Sequence, residues 1–147
     1  MSLKSCLWAM LFGLVLMPLS VLAQPRAQLT VGMYRIVAEV AADEPSRARG
    51  LMFREHLGAN EGMVFVFPVA GRQCMWMKNT LIPLSVAFLD EAGRILNIEE
   101  MAPRTLDSHC AVAPARYALE MPGGWFRERG IAPGMRVEGL ERLPAGR

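Results

Sequence analysis

Tyr34-Arg35-Ile36-Val37-Ala38-Glu39-Val40 alternates apolar and other positions with a period of two, which predicts a strand turning Tyr34, Ile36, Ala38 and Val40 toward a core. The lead before it, Pro25 to Gln28, is short and polar. Beyond it, Asp43 is suited to cap a helix, Pro45 to its first turn, and Ala48, Leu51 and Met52 have the spacing of a buried stripe that Gly50 keeps short. Met63-Val64-Phe65-Val66-Phe67 is continuously apolar and ends at Pro68, the pattern of a strand buried on both faces. Two more strands are predicted over Cys74 to Lys78 and Leu84 to Leu89, separated by Asn79-Thr80-Leu81-Ile82-Pro83. Asp90-Glu91-Ala92-Gly93 predicts a hairpin turn into Arg94 to Glu100, and a long loop follows from Ala102 to Pro114. Ala115 to Met121 alternates again, with Tyr117 and Leu119 on one face and Arg116 and Glu120 on the other. Trp125 to Arg129 suits one or two helical turns closed by Gly130, and Pro133-Gly134 turns the chain into a last strand, Met135 to Leu140. About seven short strands and two short helices predict a mainly β (α+β) domain, a compact antiparallel β-sandwich or partly closed barrel.

The N-terminus has a different pattern. Lys4 is followed by an uncharged stretch to Ala23 with an apolar centre from Leu7 to Met17, broken by Pro18 and Ser20. This is the form of a secretory signal, with cleavage expected after Ala23. The expected organisation is a signal peptide over 1–23, one β domain over 24–143 and a disordered tail over 144–147. The mature chain is then periplasmic or secreted, with no membrane segment once the signal is removed. Hydrophobic residues make up 52% of the sequence and charged residues 20%, which excludes an intrinsically disordered chain. Loss of Lys4 lowers the formal net charge from +2 to +1, with Arg interspersed among Asp and Glu, so no nucleic-acid partner is implied.

Export leaves Cys74 and Cys110 as the only cysteines. In an oxidising compartment a lone pair is expected to be bonded, tying the 102–114 loop to the strand that holds Trp76. The chain-entropy model gives such a loop roughly 4 kcal/mol.

Four stretches together resemble the family known as domain of unknown function 192. They are Arg47-Ala48-Arg49-Gly50-Leu51-Met52-Phe53-Arg54, Gly62 to Phe67, Trp76-Met77-Lys78-Asn79-Thr80-Leu81-Ile82-Pro83-Leu84, and Gly130-Ile131-Ala132-Pro133-Gly134. The resemblance spans nearly the whole mature chain. It implies a small, mainly β, often secreted bacterial domain with no established activity.

Four constellations carry chemical potential. Lys78, Asn79 and Thr80 follow an aromatic strand, with Arg49 and Arg54 expected nearby from the helix. An ammonium, an amide and a hydroxyl at a strand end suit a carboxylate or a sugar, although Asn79 and Thr80 also suit a tight turn. Lys78 is the only lysine after residue 23, and it shares a strand face with Cys74 and Trp76, whose indole offers a platform. Met52, Met63, Met75, Met77, His56, His109 and the cysteines offer soft ligands of the kind that bind Cu(I). Met75 and Met77, however, face away from Cys74, so they are assigned to packing and no metal site is expected. Glu99 and Glu100 are adjacent on a strand and cannot act as one glycosidase pair, and Arg116 with Glu120 reads as a cross-strand charge pattern. Asp107, Ser108 and His109 are consecutive, so their side chains diverge rather than form a triad.

The sequence therefore points first to a periplasmic or secreted small-ligand-binding or accessory module. Its ligand-binding residues are Arg49, Trp76, Lys78, Asn79 and Thr80, its ligand is a small molecule or envelope component, and no cofactor is expected. The alternatives are an enzyme acting on a cell-envelope or carbohydrate substrate, and a copper-handling protein.

Overall fold

The computed structural model describes residues 23–147, and the expected signal peptide lies outside the described residues except for Ala23. The alternating Tyr34 segment forms β2 (Tyr34–Ala41), and it pairs antiparallel with β1 (Arg26–Val31), a strand that begins inside the polar lead. The chain continues through α1 (Glu44–Arg49), β3 (Glu61–Gly71), β4 (Cys74–Met75), β5 (Leu84–Leu89), β6 (Ile95–Met101) and β7 (His109–Cys110). It ends with β8 (Ala115–Pro122), α2 (Trp125–Glu128), β9 (Val137–Glu138) and a 3-10 turn at Leu140–Arg142. Seven strands form one curled sheet in the order β6-β5-β8-β3-β2-β1-β9, and β4 with β7 makes a separate ribbon. The edges of the sheet approach one another: Ile95 N–H donates to Met135 at 2.9 Å, and Val137 N–H donates to Gly93 at 2.9 Å. The result is a half-barrel, mainly β with two short helices.

The sheet is antiparallel except for β2 and β3, which run parallel. Parallel neighbours need a crossover connection, and α1 with the segment after it supplies one. Asp43 caps α1 as its sequence position predicts: its carboxylate accepts from Ser46 N–H at 2.8 Å, and Ser46 Oγ accepts from Asp43 N–H in return. These bonds hold the Asp43 carboxyl below the usual carboxylate value. The helix stops sooner than the apolar spacing predicts, because Gly50 takes φ 49° and ψ −135°, a conformation that side-chain-bearing residues resist. Ala48 is consequently exposed, while Leu51, just past the helix, is buried.

Period-two alternation gives the central strands two different faces. Val64, Val66, Leu119, Met121 and Ala87 line the inside of the half-barrel, together with Leu29, Val31 and Ile36. Trp125 and Phe126 of α2 plug it, packed edge to face with ring centres 5.2 Å apart. The outer face carries Met63, Phe65, Val86, Phe88 and Ala118 and is covered by Leu51 and Met77. Both faces of β3 from Gly62 to Val66 and of β5 are therefore dry, as their continuous apolar runs imply. Gly62 on β3 sits against the Glu120 carbonyl of β8 so closely that a Cβ there would collide with backbone.

The last strand is shorter than expected, since Gly139, at φ 98°, bends the chain into the 3-10 turn. Residues 144–147, expected to be a disordered tail, are mostly exposed, and Arg147 bonds back to the domain. Arg147 N–H donates to Ala42 at 2.8 Å, and the Arg147 carbonyl accepts from the Arg47 guanidinium at 2.9 Å.

Candidate functional site

Cys74 and Cys110 face one another in the β4–β7 ribbon and are joined as a disulfide. Regular pairing ends at Met75, so Trp76 and Lys78 lie on an irregular extension rather than on a strand. Backbone bonds nonetheless clamp that extension to the long loop: Met77 N–H donates to Thr105 at 3.1 Å, Arg104 N–H to Thr80 at 2.9 Å, and Ala111 N–H to Gln73 at 2.8 Å. Side chains alternate as the sequence suggests. Met77 is fully buried on the outer face of the sheet with Met75 beside it, while Trp76 and Lys78 turn outward. The Lys78 ammonium rests over the Trp76 ring, 5.4 Å from its centre, a cation–π contact.

Beneath this rim lies a cleft of about 290 Å³ between α1, the 74–80 segment and the outer face of the sheet. Its apolar walls include Leu51, Phe65, Phe67 and Met75, its rim carries Arg49, Trp76 and Lys78, and Thr80 and Glu120 also line it. Trp76 is half exposed, at 49%. Arg47 lines the cleft as well, but its guanidinium is spent on the carbonyls of Ala42, Val66 and Arg147, which fasten α1 to the sheet and the C-terminal residues. Arg49 makes no ion pair among the described residues and meets the Gln24 side-chain amide. Lys78 likewise has no acid within ion-pair distance among the described residues.

Glu120 is the residue whose surroundings sequence patterning misread. It does not pair with Arg116, which donates to the Pro68 carbonyl, nor does it stand on a solvated face. It is 3% exposed, its carboxyl has no hydrogen-bond partner among the described residues, and burial pushes it up to about 8 from its ordinary 4.5. A carboxylate taken out of water without a cation is costly, so the group keeps its proton instead.

Of the expected ligand-binding residues, the fold brings Arg49, Trp76, Lys78 and Thr80 to this cleft and leaves Asn79 outside its lining. Asn79 has φ 54°, and its carbonyl accepts from Phe53 N–H at 2.8 Å, so its work is in the turn. Thr80 is buried, with its hydroxyl on the Lys78 carbonyl at 3.3 Å. Among the described residues, the non-glycine positions with positive φ are Phe53, Asn79 and Arg104. They meet where the Asn79 and Thr80 carbonyls accept from Phe53 and Arg104. Strained backbone of this kind persists only where the surroundings over-determine it, and here it shapes the turn behind Lys78. Arg54, expected near Lys78, does not line this cleft: it lies past the helix and binds the Glu39 carboxylate at 2.6 Å.

The other constellations do not converge. His109 stands 4.0 Å from Glu99, whereas Glu100 turns to Ser85 and Arg127. No group of three or more His, Cys, Asp or Glu among the described residues is arranged to hold a metal ion. Met63 and Met77 are sealed in the core and the cysteines are bonded to one another. Met77→Leu conserves volume and should cost less than about 1.5 kcal/mol, as read from urea denaturation midpoints. A larger loss would show that the thioether does more than fill space.

The family model DUF192, described as an uncharacterized ACR, matches residues 27–139. A candidate transcription regulator from Sinorhizobium meliloti, solved by crystallography, is 33% identical with a TM-score of 0.72, over 78% of this chain and 92% of that one. A protein of unknown function from Novosphingobium aromaticivorans is 34% identical with a TM-score of 0.73, over 81% of this chain and 89% of its own. No curated protein matches the chain. Among the described residues no helix is long and apolar enough to cross a membrane.

Proposed function

Because the chain belongs to the DUF192 family, whose description assigns no activity, we propose a function from its own cleft: it is an exported small-ligand-binding module with Lys78 as the polar centre of the site. One observation carries this reading. An ammonium with no acid within ion-pair distance among the described residues, over a half-exposed indole, stands at a cleft whose lining includes Glu120, a nearly buried acid with no hydrogen-bond or ion-pair partner among the described residues. Ligand sites combine apolar walls with a few convergent polar groups in this way. The surface alternative, in which Lys78 pairs with Glu120, is disfavoured because Glu120 is buried and the two make no ion pair. Export to the periplasm or beyond is supported by the apolar N-terminal run and by the disulfide.

Lys78→Met keeps the stem that covers Trp76 and removes the charge. In a fragment screen followed by ligand-observed NMR, hits on the purified exported protein should bind at least about tenfold more weakly to this variant, with unfolding temperature little changed. Hits that persist undiminished in a folded Lys78→Met protein place the site elsewhere.

A second reading has one observation in its favour. A cleft acid that holds its proton near neutral pH is suited to general acid catalysis, so Glu120 supports an enzyme acting on an envelope or carbohydrate substrate. Turnover of such substrates, abolished in Glu120→Gln, is its test.

A further inference from the structure

Glu39, Met63, Glu120, Val86 and Glu99 form one cross-strand row on the outer face of the sheet, one residue from each of β2, β3, β8, β5 and β6. The three acids in this row are treated differently. Glu39 is met by Arg54 at 2.6 Å and by Arg26 at 3.8 Å. Glu99 accepts from the Asn97 amide at 3.2 Å, with His109 4.0 Å away. Glu120 is the most buried of them, and among the described residues it has no partner at all. Its carboxyl opens on the cleft. The fold thus places cations against an acid two strands away and withholds one from the acid that faces the cavity.

We propose that the cleft takes a small monocarboxylate with an apolar body, its carboxylate shared between the Glu120 carboxyl as proton donor and the Lys78 ammonium. This deepens the binding-module reading and rests on it. A protonated carboxyl facing a carboxylate makes a short, charge-assisted hydrogen bond, stronger than a neutral pair makes. The charges agree in sign. Beside Glu120, the cleft is lined by Glu44, Arg47 and Arg49 of α1 and by Lys78, while Glu39 and Glu99 stand about 10 Å away, two strand spacings to either side. A cationic ligand would meet Lys78 and Arg49 and find no anion among the buried groups, whereas a monoanion gains a cation and a donor. Trp76 and Phe65 offer flat apolar walls to a ring or chain, and about 290 Å³ limits the ligand to roughly a single ring with its acid group. Burial holds the Glu120 proton up to about pH 8, so the donor is present at neutral pH and lost in alkali.

Benzoate is the probe, titrated calorimetrically at about pH 6.5 and about pH 9.5, below the range where lysine is largely neutral, and benzamide as its uncharged isostere and benzylamine as its cationic one are compared with it at the lower pH. The expected result is that benzoate binds at least about tenfold tighter than either isostere, and at least about tenfold tighter at the lower pH than at the higher. Glu120→Gln should retain binding and flatten that pH dependence, and Lys78→Met should weaken binding at both. Equal benzoate affinity at the two pH values, an unchanged pH dependence in Glu120→Gln, or a preference for benzylamine overturns the proposal. If benzoate fails while another fragment binds in a Lys78-dependent way, the carboxylate assignment falls and the binding module stands. If no fragment responds to Lys78→Met, both fall.

Discussion

Replacing Cys74 and Cys110 together by serine should cost roughly 2–5 kcal/mol of folding stability, among the largest losses expected of any change outside the hydrophobic core. The disulfide closes a long loop, and the chain-entropy model alone assigns it roughly 4 kcal/mol. The native contacts it reinforces are sparse. The β4–β7 ribbon has two residue pairs, and the 102–111 loop exposes Leu106 to 65%, so few buried apolar groups would hold that loop once the link is gone. For a domain of this size the loss corresponds to a fall in unfolding temperature on the order of 10 °C or more. Reductant added to the wild type should reproduce the shift. Thiol titration of the denatured, unreduced protein should find no free thiol, and two would end the argument. So would an unchanged urea midpoint in the double serine variant. A second consequence reaches the cleft. Trp76 and Lys78 follow β4 directly, and the loop clamps them from behind through Thr105 and Arg104, so ligand affinity should drop with the disulfide even where the core stays folded.

That link was legible in the sequence because it needed only a count of thiols and a compartment. The outward turn of Trp76 and Lys78, opposite Met75 and Met77, was legible too, since alternation in an extended chain survives the loss of regular pairing. Other elements were hidden for physical reasons. Arg26 and Gln28 are exposed positions on the outer face of the sheet, so the start of β1 resembles a polar lead, and its partner across the tight turn is what makes it a strand. The parallel pairing of β2 with β3 has no local signature, because it is decided by where α1 carries the chain. Arg54 sits just beyond the Gly50 break, and the distance between it and the helix's own arginines is set by a backbone conformation that spacing does not reveal.

Glu120 is the instructive failure. Alternation placed it correctly on the face opposite Leu119. A polar residue on the far face of a strand normally signals water on that side, and here the far face is roofed by Leu51, Met77 and the disulfide-braced segment. Those covering residues are distant in sequence from β8, so nothing in Ala115 to Met121 announces them. A residue reads as surface or as buried acid according to what the rest of the chain lays over it.

Stability should consequently fall as pH rises from about 4.5 to about 8, and Glu120→Gln should abolish that decline. In the unfolded chain the carboxyl titrates near its ordinary 4.5, and in the fold burial carries it to about 8. Below the lower value both states hold the proton and the group is neutral in the balance. Between the two values the unfolded chain has released its proton while the folded chain has kept it. The unfolded state then binds fewer protons, and the free energy of unfolding drops with pH, at about 1.4 kcal/mol per unit. Above the upper value both are ionised and the penalty levels off at roughly 5 kcal/mol. Asp43 acts in the opposite sense: its carboxyl is held low by Ser46, so its contribution is present above its ordinary value and lost toward acid. Asp43 is unchanged in the variant and cancels in the difference. Urea denaturation of both proteins at about pH 4, 6 and 9 and fixed salt should therefore give a difference near zero in acid. That difference should grow in favour of Glu120→Gln across neutrality and then plateau. If it is the same at all three pH values, Glu120 is not a buried acid that holds its proton, and the cleft loses its donor.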